Sequence, residues 1–421
     1  MIRPEKARIS EWEASLPALS REHLHVAADK IAAAKERGGG VTVVTGSGPN
    51  IHEGITTLIA ELIRKGIVDA VLTSSAVVAH EMSGTLDRVK RVVAAQHPEL
   101  NLNTKLLPRG GVFEITAMNE NDEAAIRRQW PSGWELYDRI KKLDGTVIIK
   151  AAGNMAWPMG PHIENLAREA EVLAKECGLT VEKVVGFGAD PNTMIGAGAL
   201  CDRPVLVSIP QLVGGGAVGL AIGDAISISR RARLVAETLS QADVIIESAI
   251  ALSQEIHDGP FEIYTGHGIW SGWHGNFTYS LEGKTIVRID LDPSLEQAWK
   301  QQRENSTVQL AVDRGLPKTK LTGIPFRMEM SGFARLEGSL PVTADIGRAW
   351  PVLASHIEDR LGIKLDFLPS PQETPEGKEM REWITNTVAV LDRDRMYRAA
   401  RQFSSVNKPL SQSLLAVKAA Q

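Results

Sequence analysis

The sequence predicts an α/β protein with a doubly wound, mostly parallel sheet that carries helices on both faces. Segments typical of strands and of helices alternate along most of the chain, the order that builds parallel sheets. The strand segments are continuous aliphatic runs, as at 41–44 and 243–247, which is typical of strands buried on both faces. Loops of glycine or small polar residues follow several of these runs, where such sheets place ligand sites.

Composition narrows the class of protein. The chain has 421 residues, of which 43% are hydrophobic and 23% charged, as in ordinary globular proteins. The net charge of −4 gives no reason to expect a nucleic acid or a membrane as partner. Two cysteines are too few for a disulfide framework or a structural zinc site. The first residues, MIRPEKARISEWEASL, do not form a signal peptide, so we expect a cytoplasmic enzyme with a small-molecule substrate.

We expect three regions along the chain. Residues 1–40 form a helical extension, 41–362 an α/β catalytic domain, and 363–421 a helical tail. The polar segment 97–145 is a possible excursion over the sheet. The pattern predicts strands at 41–44, 69–72, 146–149, 183–187, 205–209, 243–247, 285–289 and 340–345, and helices at 55–65, 161–177, 227–242 and 378–402, with a further helix ending at 362.

Glycine loops give the first candidates for a cofactor site. The strand at 205–209 ends at Pro210, and Gly214, Gly215 and Gly216 follow it with no side chains to hold a ligand away from the backbone. The alternative is a tight turn that packs a helix on the sheet and binds nothing. The spacing is not that of the GxGxxG dinucleotide motif.

Other strand ends add to the cofactor candidates. Glycine at 46 and 48 leaves room for close approach of a ligand, and the serines and threonine after the second strand offer hydroxyls. An aspartate after the seventh predicted strand could accept hydrogen bonds from a ribose diol. Each of these residues taken alone is better explained as the cap of the next helix. Because strand ends rich in glycine or serine recur along the chain, the set as a whole favours a bound dinucleotide. The predicted cofactor-binding residues are Gly46, Ser47, Gly48, Asn50, Thr73, Ser74, Ser75, Gly214, Gly215, Gly216, Asp290 and Asp292.

Four residues are candidates for catalysis, and each has a structural alternative. Lys150 follows a strand that should be buried, so it could act as a base or imine former, or else pair with a carboxylate. Glu247 ends a strand and could orient an amine, act as a base, or pair with a cation. His80, with Glu81, follows a strand-end loop, and His52-Glu53 is a similar but weaker candidate.

The fourth candidate, His267, lies in an unusual loop rich in glycine and aromatic residues. Trp270, Trp273 and His274 belong to the same loop, and their rings could wall a pocket for a cationic substrate. The spacing of the two histidines is not a zinc motif, so no metal is expected. The alternative is a rigid loop that packs on a neighbouring subunit.

Several phrases resemble the deoxyhypusine synthase-like group of NAD-binding enzymes. They are the segment 46–50, the segment KGIVDAVLTSSAVVAHEM at 65–82, and the segment PVLVSIPQLVGGGAVG at 204–219. The segments from Asp243 to Pro293, and the His80-Glu81 pair, are most similar to the lysine-ketoglutarate reductase/saccharopine dehydrogenase family, which includes NAD-dependent ornithine cyclodeaminases. IVRIDLDPS and PVTADIGRAWPVLASHI are similar to the central domain of thiamine-diphosphate enzymes. The lysine motif of the synthase itself is absent.

The resemblance implies the deoxyhypusine synthase-like nucleotide-binding fold, NAD as cofactor, and a homo-oligomer, as a dimer or tetramer. It also implies transient hydride abstraction from a small amine, amino acid or hydroxy compound, by a cyclodeaminase, lyase or transferase. Lys150, Glu247 or His80 would then move protons. Two alternatives stay open: a coenzyme A ester transferase or hydrolase with Glu247 as nucleophile, and a non-catalytic nucleotide-binding protein.

Overall fold

A computed structural model describes residues 2–46, 48–101, 103, 105, 111–129, 133–153, 156–208, 215–249, 281–316, 323–324 and 336–407. Within these ranges lie the strands β1 Gly40–Thr45, β2 Ala70–Thr73, β3 Leu86–Val93, β4 Val112–Thr116, β5 Thr146–Ala151, β6 Val205–Val207, β7 Ala242–Ser248, β8 Thr285–Asp290 and β9 Ser339–Thr343. The longer helices are Lys6–Ser15, Ala18–Glu36, Ile55–Arg64, Ser75–Met82, Glu120–Gln129, Trp134–Lys141, Met159–Cys177, Val181–Gly188, Gly216–Ala225, Ile228–Ser240, Ser294–Asn305, Ile346–Leu361, Pro375–Thr387 and Arg393–Asn407. Shorter helices are Pro49–His52, Met194–Leu200 and Thr307–Asp313.

The main sheet has six strands in the order β6-β2-β1-β7-β8-β9, and every neighbouring pair is parallel. The chain starts in the middle with β1, moves outward through β2 to β6, and then returns to the other side of β1 with β7. The order of the strands therefore reverses between β1 and β7. This architecture confirms the predicted α/β class with a parallel sheet.

Helices cover both faces of this sheet. Alternate residues of each strand enter two separate apolar cores, so that Val43 faces one core and Val44 the other. The larger core includes Leu24 and Leu353 from helices Ala18–Glu36 and Ile346–Leu361. The smaller one includes Leu239 from helix Ile228–Ser240. Burial on both faces explains why the strand sequences are continuously aliphatic.

A second, antiparallel sheet is inserted between β2 and β6. Its order is β4-β3-β5. The segment predicted as an excursion, 97–145, contributes β4 and the helices Glu120–Gln129 and Trp134–Lys141. The strand predicted at 146–149 exists as β5, but it belongs to this smaller sheet and is largely half-exposed or exposed. The expectation that Lys150 follows a buried strand of the main sheet is therefore wrong, since Lys150 lies within β5 itself.

The strand predicted at 183–187 is also wrong, because Val181–Gly188 is a helix. Val181, Val184 and Val185 are spaced to form one buried helical face, and Thr180 caps the helix by accepting a hydrogen bond from Lys183 N. The helix predicted at 378–402 is two helices. The segment between them is held by hydrogen bonds from Leu391 N to Met82 O and from Asp392 N to Gly188 O.

The helices before β1 and after β9 pack against the body of the fold. Arg3 donates to both carboxylate oxygens of Glu358, and Ser20 donates to Thr343 O beside β9. In the part of the chain that the structure describes, no helix is long and apolar enough to span a membrane.

Candidate functional site

The carboxyl ends of β1 and β7 form the first half of the candidate site. Open parallel sheets bind ligands at the carboxyl edge, in the crevice where the strand order reverses. Here that point lies between β1 and β7, where the strand order reverses. Gly48, in the β1 loop, has φ +75° and ψ −110°, and a Cβ built there meets nothing within 4 Å. The backbone at Gly48 therefore needs glycine and faces open space.

Asn50 fastens the two sides of this crevice together. Its Nδ2 donates to Gly46 O at 3.3 Å and to Ser248 O at 3.2 Å, while its Oδ1 accepts from Ser248 Oγ at 2.5 Å. Trp350 Nε1 donates to the same Ser248 hydroxyl at 2.8 Å. Asn50 is fully buried, so the structure places it as a bridge beneath the crevice rather than on its open surface.

The end of β2 contributes a buried hydroxyl group. Thr73 Oγ1 is buried, and within the described ranges it has no hydrogen-bond partner. Such a group is costly unless a ligand or water satisfies it. Ser74 instead caps helix Ser75–Met82 by accepting a hydrogen bond from Val77 N. Thr73 therefore differs from Ser74 in that its hydroxyl has no partner among the described residues.

The described part of the glycine run after β6 is closely packed. A Cβ at Gly215 would lie 2.3 Å from Ser75 Oγ, and one at Gly216 would lie 2.6 Å from Glu164 Oε1. Glu164 also accepts from Ala217 N in the first turn of helix Gly216–Ala225, at 3.5 Å. These contacts join helix Gly216–Ala225 to two neighbouring helices and leave no room for a side chain at Gly215 or Gly216.

The acidic strand ends have local partners. Asp290 Oδ1 accepts from Asp292 N at 3.1 Å, and Asp292 Oδ1 accepts from Ser294 N at 2.9 Å, as residues that initiate a helix do. Glu247 on β7 pairs with Arg288 on β8, and both side chains are fully buried. The coenzyme A alternative needs a reachable nucleophile, and burial keeps Glu247 from that role.

One face of the antiparallel sheet forms the second half of the site. Asp87 on β3 lies directly opposite Lys150 on β5, and Lys150 Nζ donates to Glu114 Oε2 on β4 at 2.7 Å. Glu114 Oε1 also lies 3.0 Å from Arg91 Nε. The carboxylates of β3 and β4 therefore share one face with the lysine that sequence analysis singled out.

His80 faces this group from the helix that follows β2. Its Nδ1 lies 2.6 Å from Ala152 O, an acceptor, so Nδ1 carries the proton. Burial lowers the pKa of His80, and the Lys150 charge acts in the same direction while the Ala152 bond opposes it. The ring is therefore neutral at pH 7 and leaves Nε2 as a proton acceptor.

The neighbouring groups also have perturbed pKa values. Burial raises the pKa of Asp87 to about 7, against its hydrogen bond from Gly153 N and the charge of Lys150. Burial lowers the pKa of His52 to about 4, and Arg381, His80 and Lys150 lower it further. Such a cluster at a sheet edge is typical of functional sites.

Arg381 completes the cluster from helix Pro375–Thr387. Its guanidinium donates to Ile149 O and lies 3.5 Å from His52 Nδ1. Its buried Nε has no acceptor among the described residues, and burial lowers its pKa. An arginine held in this way suits a carboxylate ligand.

Sequence reasoning missed Asp87, Glu114 and Arg381. No local motif marks them, because they meet only through the pairing of β3, β4 and β5 and the docking of a helix far along the chain. Six predicted residues lie outside the described ranges: Ser47, Gly214, His267, Trp270, Trp273 and His274.

No protein-family model matches the chain, and no curated protein matches it. Similar solved structures include a conserved LOR/SDH protein from Methanococcus maripaludis S2, with TM-score 0.34, 14% identity, and coverage of 86% of this chain and 68% of that one. AgrE, crystallised with ornithine and NAD+, has TM-score 0.38, 15% identity, and coverage of 85% and 34%. ArgZ, an arginine dihydrolase from Cyanobacteria, has TM-score 0.35, 14% identity, and coverage of 80% and 32%.

This chain therefore spans about a third of the length of AgrE and ArgZ. The first neighbour carries the name of the group that the sequence resembles. The TM-scores and identities are too low to assign the chain to that family, so membership stays a prediction.

Proposed function

We propose that this protein is an NAD-dependent enzyme that acts on a small amino acid or a related amine. The observation that carries the proposal is the reversal of strand order between β1 and β7. Taken along the chain, the six parallel strands have the spatial order 3-2-1-4-5-6, which is the order of dinucleotide-binding sheets. Two of the titratable groups, His52 and His80, lie in the helices that follow β1 and β2 at this carboxyl edge.

Two features of this edge suit a dinucleotide. The open backbone at Gly48 allows a phosphate to approach the loop after β1 closely. The buried Thr73 hydroxyl at the end of β2 can donate to a ribose or phosphate oxygen. When bound, NAD supplies a hydride acceptor for a carbon that bears an amine or a hydroxyl group.

The chain's own groups would bind the substrate and move its proton. Arg381 would bind a substrate carboxylate through its Nε, while Asp87 and Glu114 would attract an amine. His80 Nε2 would accept a proton from that amine or hydroxyl, because Ala152 O fixes the other ring nitrogen as the donor. Asp87, with a pKa of about 7, can hold or release a proton near neutral pH.

The cofactor half of the proposal is tested by Thr73→Val. The change keeps the shape of the side chain and removes the hydroxyl, so we expect NAD affinity to fall about 2- to 10-fold, the value of one hydrogen bond. Thr57→Val is the matched control, since Thr57 is equally buried with no described partner for its hydroxyl but lies within helix Ile55–Arg64. Titration calorimetry with NAD measures both. Equal affinities in the two variants would contradict the placement of the cofactor.

The substrate half is tested by Arg381→Met. We expect the affinity of an amino-acid ligand, starting with ornithine, to fall roughly 10- to 100-fold while NAD affinity stays unchanged, since a charged hydrogen bond is lost. Arg88→Met is the control, because Arg88 contacts the same helix through Glu382 and Asn386 on an exposed surface. A loss that is equal in both variants, or a loss of NAD binding with Arg381→Met, would refute the assignment.

A further inference from the structure

A second group of ligand-type side chains lies among the helices that flank the main sheet. Glu13, His25 and His356 come from helices Lys6–Ser15, Ala18–Glu36 and Ile346–Leu361. His25 Nε2 lies 2.8 Å from Glu13 Oε1, and His356 Nε2 lies 2.9 Å from the same oxygen. Nothing in the proposed dinucleotide chemistry uses these residues.

The three ligand atoms converge on one point. One oxygen and two imidazole nitrogens all lie within 4.8 Å of one another. A tetrahedral zinc ion with bonds of about 2.0 to 2.2 Å places its ligand atoms about 3.4 Å apart. The two imidazole nitrogens lie about half an ångström closer than this to the Glu13 oxygen, so each ring would move outward slightly to admit an ion. The imidazole rings, with centroids 4.1 Å apart, already point the same nitrogen toward Glu13.

We propose that Glu13, His25 and His356 form a binding site for a divalent transition metal ion, with zinc as the expected occupant. Two imidazoles and one carboxylate prefer zinc and its neighbours over calcium or magnesium, which take oxygen ligands. Three protein ligands leave a fourth position for water, and the 44% exposure of the His25 side chain opens the site to solvent.

The surroundings of the site support ligation. Both imidazole Nε2 atoms already face the Glu13 carboxylate, and the three side chains come from three different helices. The ion would replace two hydrogen bonds on one carboxylate oxygen with coordinate bonds, and it would join two N-terminal helices to the helix that carries Trp350.

The site can be tested with zinc chloride on the full chain freed of any polyhistidine tag. We expect calorimetry to show one zinc ion bound per chain, and zinc to increase the Tm. When Co²⁺ is used in place of zinc, we expect a visible absorption spectrum typical of a low coordination number. His25→Ala and Glu13→Gln should each weaken zinc binding at least about tenfold. His25 is partly exposed, so His25→Ala should fold.

Glu99→Gln is the matched control. Glu99 also contacts a histidine, with 3.1 Å between its carboxylate and His97 Nδ1, but these two residues form a pair and not a group of three ligands. It should bind zinc as the wild type does. No zinc binding by the wild type, or binding that His25→Ala leaves unchanged, would overturn the proposal. Because NAD titration uses none of these residues, failure of this site and failure of the proposed function are distinguishable.

Discussion

The buried ion pair between β7 and β8 allows a quantitative test of the sheet's interior. Arg288 and Glu247 are both fully buried, and their side chains pair across the two strands. Arg288→Met removes the cation and leaves a carboxylate in the apolar interior. Breaking a buried pair in this way costs about 3 to 5 kcal/mol of unfolding free energy. For a chain of 421 residues, this corresponds to a fall in Tm of roughly 3 to 6 °C.

Denaturant and thermal unfolding, followed by circular dichroism, measure this loss. The control is Arg233→Met, which removes an exposed pair with Glu237 one helical turn away and should cost less than about 0.5 kcal/mol. The double variant Glu247→Leu/Arg288→Met should be more stable than Arg288→Met, because it also removes the buried carboxylate whose cation is lost. A loss below about 1 kcal/mol for Arg288→Met, or no recovery in the double variant, would show that the Glu247–Arg288 pair does not stabilise the sheet.

Two further predictions concern residues beside the site. Burial raises the pKa of Glu81 to about 8 despite hydrogen bonds from Ile195 N and Met194 N, so the folded state holds a proton that the unfolded state releases above about pH 4.5. Unfolding free energy should then fall as the pH rises from about 4.5 to 8, by up to about 1.4 kcal/mol per pH unit more steeply than in Glu81→Gln. Parallel pH profiles of denaturant unfolding in the two proteins would contradict this. Gly153→Ala should destabilise the protein by about 1 to 3 kcal/mol more than Gly178→Ala. A Cβ at Gly153 would lie 2.3 Å from Ser83 Oγ, while a Cβ at Gly178, which has a similar positive φ, meets nothing within 4 Å. Equal melting temperatures of the two variants would show that the loop at Gly153 adapts.

The sequence predicts the fold where one local pattern decides the structure. Strands buried on both faces need continuous aliphatic runs, and β1, β2, β7 and β8 were found from such runs within a residue or two. The pattern fails at Val181–Gly188, where valines spaced for a helix face also resemble a short strand. Alternation of strands and helices indicates a parallel sheet, but the strand order depends on which strands pair.

The site is harder to predict for the same reason. Lys150 and His80 were found because each stands near a strand or a strand-end loop. Asp87 meets Lys150 only because β3 and β5 pair in one register. Arg381 joins them from a helix more than two hundred residues later in the chain. Burial, which perturbs the pKa values of these groups, is a property of the folded molecule and has no local signal.

The identity of the nucleotide released when the purified protein is denatured decides directly whether the protein binds NAD. We would record a mass spectrum and an absorbance scan of the released material, and titrate the same preparation with NAD by calorimetry. We expect NAD or NADH, bound at up to one per chain at the carboxyl edge between β1 and β7. Absence of any nucleotide, together with no NAD binding by calorimetry, would contradict it.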